Sequence, residues 1–170
     1  MVAPKHREPD AAGWLFSAAD YAESTSYFKA SSVAEDHPDR LILAADTVVS
    51  LAGELFGKPT GIDDARRILS ALAGTTHEVI TGVTLYEPAT GRRMIRHETT
   101  RVTMRPMTDA QLAAYLQGGL WQGKAGAYGI QDRDDAFVET LDGRFDNVVG
   151  LPIGLVKTML AAYGVFSSEP

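Results

Sequence analysis

Leu41-Ile-Leu-Ala-Ala-Asp-Thr-Val-Val-Ser50 is the stretch on which the reading of this chain turns. Apolar and small residues run into an acid and then into two valines. A short run of this kind reads as a strand buried on both faces, in a sheet covered by helices. Asp46 lies inside it, where an ionised carboxylate costs several kcal/mol unless a cation, a metal or hydrogen-bond donors meet it. Two readings of Asp46 stand at this point. It is a structural acid at a strand end collecting N–H groups from a turn, or a functional acid whose partners come from elsewhere in the chain.

On the upstream side, the spacing of Ala18, Tyr21, Ala22, Tyr27, Phe28, Ala30 and Val33 predicts a helix that ends near Asp36-His-Pro-Asp39. Lys29 falls late in that helix, where a lysine commonly faces solvent or complements the helix C-terminus. Residues before Gly13 read as extended or loop chain. On the downstream side, Lys58 is pinned between Gly57 and Pro59 on a stiff loop just after the acid-bearing strand. Thr60 is expected to cap a helix whose apolar stripe is Ile62, Ala65, Ile68, Leu69 and Leu72, stopped by Gly74.

Thr76 to Tyr86 and Arg92 to Met104 read as a hairpin turning at Glu87-Pro-Ala-Thr-Gly91. Thr108-Asp-Ala-Gln111 is a capping box opening a short helix. Gly123-Lys-Ala-Gly-Ala-Tyr-Gly-Ile-Gln131 places three glycines in seven residues, either a backbone passing close to a ligand or a merely tight loop. Ala136–Leu141 and Arg144–Val149 are expected to pair as a second hairpin through Asp142-Gly143. Pro152 then opens a final helix stopped by Gly164. The pattern predicts an α/β (α+β) domain with a mixed central sheet flanked by helices.

Composition narrows the function classes. The chain has 170 residues, 45% of them hydrophobic, enough to bury one sizeable core. It has no cysteine, so disulfides, thiolate metal sites and a Cys nucleophile are excluded, which suits a cytoplasmic protein. The formal charge is −6 with no Lys/Arg block, which argues against binding a nucleic-acid polymer but leaves small anions open. No apolar stretch approaches the ~18 residues of a membrane span, and no secretory signal is visible.

Five motifs stand in register with a known family. They are Ala45-Asp-Thr-Val-Val49, Gly57-Lys-Pro59, Leu72-x-Gly74-x-x-His77-x-Val79-x-Thr81-Gly82, Lys124-Ala-Gly-Ala-Tyr-Gly-Ile-Gln131 and Asn147-Val-Val-Gly-Leu-Pro152. From about Lys29 to about Leu160 the chain resembles the Maf family of nucleoside triphosphate pyrophosphatases, also described as septum-formation inhibitors. The resemblance implies one Maf-like domain over residues 1–170, with a two-lobed, Maf/ITPase-like architecture around a cleft. It implies hydrolysis of a nucleoside triphosphate to the monophosphate and pyrophosphate, with Asp46 as general base beside a divalent metal, Mg²⁺ or Mn²⁺. Lys29 and Lys58 match the family's phosphate-side lysines, and Thr47 and Gln131 its specificity positions. An Asp-Thr pair with this Gln is similar to the subfamily acting on dTTP and UTP, rather than the one acting on 7-methyl-GTP. A Gln amide offers the donor and acceptor that a pyrimidine imide edge needs. The expected partners are the nucleotide and a second copy of the chain in a homodimer.

The chain departs from the family at its start and after Gln131. Nothing matches the Ser-x-Ser-Pro-Arg-Arg loop that opens family members, so the first βα unit is expected to be missing. Either the natural start lies upstream of Met1 or the chain is a truncated relative with impaired activity. Glu8 stands for the family's upstream metal-side acid, and Asp132 replaces the usual Gly. A rival reading is therefore a nucleotide-binding Maf-like protein that no longer catalyses. A third, a purely structural domain, leaves an acid inside an apolar strand unexplained.

Overall fold

The computed structural model describes residues 17–130 and 137–165. Helix α1 (Ala18–Ala34) leads into strand β1 (Ile42–Leu51), which turns back at Ala52-Gly53 into β2 (Glu54–Phe56). Helix α2 (Ile62–Leu72), the long hairpin β3 (Thr76–Glu87) and β4 (Arg92–Met104), and α3 (Asp109–Gln117) follow. The chain closes with β5 (Val138–Asp142), α4 (Phe145–Val149) and α5 (Ile153–Tyr163). The sheet order is β2-β1-β3-β4-β5. The class is as expected, helices layered on a central sheet, but the sheet is not mixed: every pairing among the described residues is antiparallel. Tight turns join β1 to β2 and β3 to β4, and a tight turn can only reverse a strand, whereas parallel neighbours need a long crossover.

Alternation along the strands assigns the two faces. On one, Val48 and Ile80 pack with Tyr21 and Ala22 of α1, and Ile42 packs with Ala30 and Ala34. Ser26 of α1 shares a buried 2.7 Å hydrogen bond with Thr84 of β3. On the other face three groups sit side by side along the strands. Val83 and Leu85 meet Val156 and Met159 of α5. Thr81 meets Asn147 of α4. Val49, Val79 and Val102 join the main core of α2, α3 and Tyr128.

Burial of β1 on both faces is not what forms. Ile42, Val48 and Val49 are buried, but Leu43 is 42% exposed, because α5 covers Val83 and Leu85 of β3 rather than the neighbouring stretch of β1. β2 pairs with β1 only from Val49 to Leu51. The margin from Ile42 to Val48 therefore has β3 as its one hydrogen-bonded neighbour among the described residues.

Two local readings also shift. Helix α2 is capped at Gly61 and not at Thr60, because Asp64 turns back to accept hydrogen bonds from the Thr60 amide and hydroxyl at 3.0 and 3.2 Å. The segment read as the return strand of a second hairpin is helix α4. Its alternation suits a strand, but tertiary bonds decide. The Asn147 side chain, fully buried, donates to the Val79 carbonyl and to the Thr100 hydroxyl at 3.1 and 3.0 Å. The Thr100 hydroxyl donates to the Arg144 carbonyl and accepts from its amide. The capping boxes Ser17/Asp20 of α1 and Thr108/Gln111 of α3 form, the second as read from sequence.

Gly82 sets how deeply α1 sits. It lies opposite Asp46 in the β1–β3 register, and a Cβ there would come within 2.2 Å of the Ala22 carbonyl oxygen. The obstacle is helix backbone, which cannot swing aside, so α1 would have to lift off the sheet. Gly82→Ala is expected to destabilise the fold by about 3 kcal/mol, the upper range for overpacking. It should also loosen the Lys29–Asp46 contact described below; urea unfolding measures the first, and a loss smaller than about 1 kcal/mol would refute it.

His77 gives a pH prediction. Its ring is buried in β3, with Nε2 2.6 Å from the Tyr128 hydroxyl and Nδ1 without a hydrogen-bond partner among the described residues. A second ring proton would have no acceptor, and burial pushes the imidazole from its ordinary 6.5 down to about 4. Between those values the unfolded chain takes up a proton that the folded chain refuses. Stability is therefore full above pH 6.5 and falls as the pH drops through this window, by about 3 kcal/mol in total. Unfolding free energies from pH 7.5 to 4.5 should fall more steeply for the unmodified chain than for His77→Gln; parallel slopes would exclude His77 as the cause.

Candidate functional site

A cleft of about 410 Å³ opens on the face of β1 opposite α1. That volume lies within the range of small-molecule sites. Ala45, Thr47 and Val49 form its floor with Val79, the loop from Gly123 to Ile130 forms one wall, and Val148 to Gly150 form another. Asp46 and Lys29 also line it.

The Asp46 carboxylate accepts a 2.5 Å hydrogen bond from the Lys29 ammonium, with the two side chains only 12% and 17% exposed. The cation that the sequence demands for an acid inside an apolar strand is thus the lysine late in α1. Lys29 stands two turns beyond Ala22, the residue whose backbone Gly82 admits. Close approach of helix to sheet carries Lys29 to Asp46.

Thr47 points to the opposite face from Asp46, as alternation requires. Its hydroxyl is 2.9 Å from that of Thr81, which donates to the Asn147 carbonyl at 2.9 Å and so leaves Thr47 as the donor of the pair. A polar seam therefore runs from Thr47 on β1 through Thr81 on β3 to Asn147 on α4. It holds the end of α4 over the cleft floor, where a Cβ on Gly150 would lie 3.3 Å from the Thr47 hydroxyl.

Lys58 also lines the cleft. Its loop is tied to the glycine-rich loop by the Gly126 amide, which donates to the Gly57 carbonyl at 3.1 Å. Gly126 and Ala127 both hold positive φ, +70° and +61°. Gly126 does so without penalty, but Ala127 is strained by roughly 1–2 kcal/mol and stays in place because it is fully buried in the main core. Tyr128, on His77, anchors the same loop. The sequence alternative of a merely tight loop is thus refined: the turn is tight, and it borders the cleft.

The structure brings Lys29, Asp46, Thr47 and Lys58 around one cavity. Glu8, Gln131 and Asp132 lie outside the described residues. Lys124 lines the cleft too, though sequence reasoning did not single it out. The available signal was its place at the head of the glycine-rich motif. Among the described residues, three lysines and one aspartate line the cleft, in a chain of net charge −6. Among the described residues no cluster of three His, Asp or Glu side chains could hold a metal ion. Asp46 is the carboxylate of the described lining that could meet a hard divalent cation, and such ions commonly combine one or two carboxylates with oxygens of a phosphate ligand. No helix among the described residues is long and apolar enough to cross a membrane.

Comparisons with known proteins show what the chain is similar to. The dTTP/UTP pyrophosphatase of Bdellovibrio bacteriovorus is 47% identical over 123 residues, covering 72% of this chain and 64% of that protein. The dTTP/UTP pyrophosphatase of Syntrophomonas wolfei is 44% identical over 143 residues, 84% of this chain and 76% of that protein. That of Gloeobacter violaceus is 46% identical over 135 residues, 79% and 70% of the two chains. The chain thus spans about two thirds to three quarters of the length of these curated relatives. The model of the family described as Maf-like protein matches residues 2–163, nearly the whole sequence, and with these relatives it shows that the chain belongs to the Maf family.

Proposed function

We propose that this chain is a nucleoside triphosphate pyrophosphatase acting on dTTP and UTP. The observation that carries the reading is the cleft itself, where Asp46 stands among three lysines of the described residues beside a glycine-rich loop. The names of its Maf relatives point the same way. A triphosphate carries about four negative charges near neutral pH, and its α-phosphorus repels an oxygen nucleophile until cations neutralise the neighbouring oxygens. Lys29 and Lys58 supply such charge. Asp46 orients a water and takes its proton as the oxygen bonds to the α-phosphorus. The bond from that phosphorus to the α–β bridging oxygen breaks, and pyrophosphate leaves. A divalent metal, Mg²⁺ or Mn²⁺, held by Asp46 and phosphate oxygens with Glu8 as a further candidate ligand, would supply additional charge neutralisation. Lys29 has a second task, because it holds the Asp46 carboxylate in place through the 2.5 Å bond.

Thr47 and Gln131 are assigned to base selection. Thr47 stands on the cleft floor with its hydroxyl fixed by Thr81, so its position is set before a ligand arrives. The expected homodimer and cytoplasmic setting belong to the same proposal. Exposed Phe145, Leu151 and Ile153, from the start of α4 to the start of α5, offer apolar surface for a second copy.

Asp46→Asn should lower pyrophosphate release from dTTP by at least about a hundredfold while nucleotide binding stays within about tenfold, since the amide keeps the shape but cannot accept the proton. Unchanged turnover would remove Asp46 from the mechanism. Binding without turnover in the unmodified chain would leave the non-catalytic reading standing.

Across ATP, GTP, CTP, UTP and dTTP with Mg²⁺ or Mn²⁺, the unmodified chain should favour UTP and dTTP. Gln131→Ala should erode that preference more than it slows the best substrate. Equal rates on all five would refute the assignment of base selection.

A further inference from the structure

Glycine at 129 has a reason that lies in another residue. Its φ is outside the left-handed region, so an alanine would fit the backbone. What a Cβ would meet is the end of the Lys124 side chain, with Nζ at 2.6 Å and Cδ and Cε at 2.9 Å. Lys124 therefore folds across the bare backbone of Gly129 within its own loop, and both residues line the cleft. A lysine with its long stem laid against backbone in this way has lost much of its rotamer freedom before any ligand binds, so less entropy remains to be lost on binding.

The neighbouring geometry points the same way. The Gly126 amide joins this loop to Gly57, next to Lys58, and the turn at Gly126 and Ala127 is fixed by burial and by the Tyr128–His77 bond. The loop that bears Lys124 is thus tied to the loop that bears Lys58, while Lys29 approaches from α1 beside Asp46. We propose that Lys124 is a third phosphate-binding residue of the cleft, and that Gly129 is its positioning residue, glycine because any larger side chain would displace the ammonium. This rests on the pyrophosphatase reading for the identity of the substrate, but its chemistry requires only a polyphosphate anion.

The two claims are tested together by a double-mutant cycle of Lys124→Met and Gly129→Ala, with inorganic tripolyphosphate as the binding probe and dTTP as the turnover probe. Methionine keeps an unbranched stem and removes the charge. Lys124→Met should weaken tripolyphosphate binding about ten- to a hundredfold, as expected for loss of a charge-assisted hydrogen bond, and raise KM for dTTP more than it lowers kcat. Gly129→Ala should weaken binding several-fold in the unmodified background and have no further effect in the Lys124→Met background. Lys124→Arg should retain most of the affinity, and thermal melts of all variants should coincide within a few degrees.

Tripolyphosphate affinity within twofold in Lys124→Met would overturn the binding role. An equal effect of Gly129→Ala in both backgrounds would overturn the positioning role, and so would a melting temperature that falls with the affinity. Tripolyphosphate binding that depends on Lys124 without pyrophosphate release from any triphosphate would support this inference and refute the enzymatic reading. Pyrophosphate release from dTTP with both KM and kcat/KM indifferent to Lys124→Met would do the reverse.

Discussion

The approach of α1 to the sheet at Gly82 is the constraint on which the site depends. A helix backbone can come this near a strand only where the strand residue has no side chain, and Gly82 faces Ala22 at a distance no Cβ would tolerate. Gly82 is also the register partner of Asp46. One missing methyl therefore sets both the depth of the helix and its level along the strand, and Lys29 comes to rest on the carboxylate. Both side chains are largely withdrawn from water, so removing either charge would cost the other a close counter-charge where solvent compensates poorly.

On the opposite face of the same strand, packing is replaced by a chain of hydroxyls and an amide. Thr47, Thr81, Thr100 and Asn147 hydrogen-bond to one another and to the backbone at Arg144 and Asn147, in a region where Thr81, Thr100 and Asn147 are fully buried. Such a seam specifies position more sharply than apolar contact does, because a shifted hydroxyl loses its partner outright. It keeps α4 seated above the cleft floor without filling the floor with large side chains. Ala45 and Thr47, small residues in the middle of an otherwise apolar strand, leave the room that becomes the cavity.

Electrostatics then gives the cavity its character. The chain as a whole is acidic, yet the lysines of three separate segments converge on the lining. A chain of net negative charge is poorly suited to polymers of nucleic acid, which need an extended positive face, whereas the proposed substrate, a compact polyanion, needs only a few local cations. The glycine-rich loop contributes through its rigidity, since the strained Ala127 and the Tyr128–His77 bond leave it few alternative shapes.

Sequence alone determined a good deal about this protein. The hairpin of β3 and β4, helix α1, the capped helix α3 and the helix closing at Gly164 are legible because their signals are local: alternation, helical spacing, a capping box and a glycine stop. The Maf motifs pointed to Asp46, Thr47, Lys29 and Lys58, and these residues do share a cavity. Tertiary structure decided the rest. The fate of Arg144–Val149 turned on Asn147 finding acceptors on β3 and β4, which no local pattern encodes, so a plausible strand became a helix. The one-sided exposure of Leu43 turned on where α5 lands. The reason for glycine at 82 and at 129 lies in Ala22 and Lys124, atoms that reach those positions only once the chain has folded. Local preference is written in neighbouring residues, but close approach is a property of surfaces that meet, and only the folded chain brings them together.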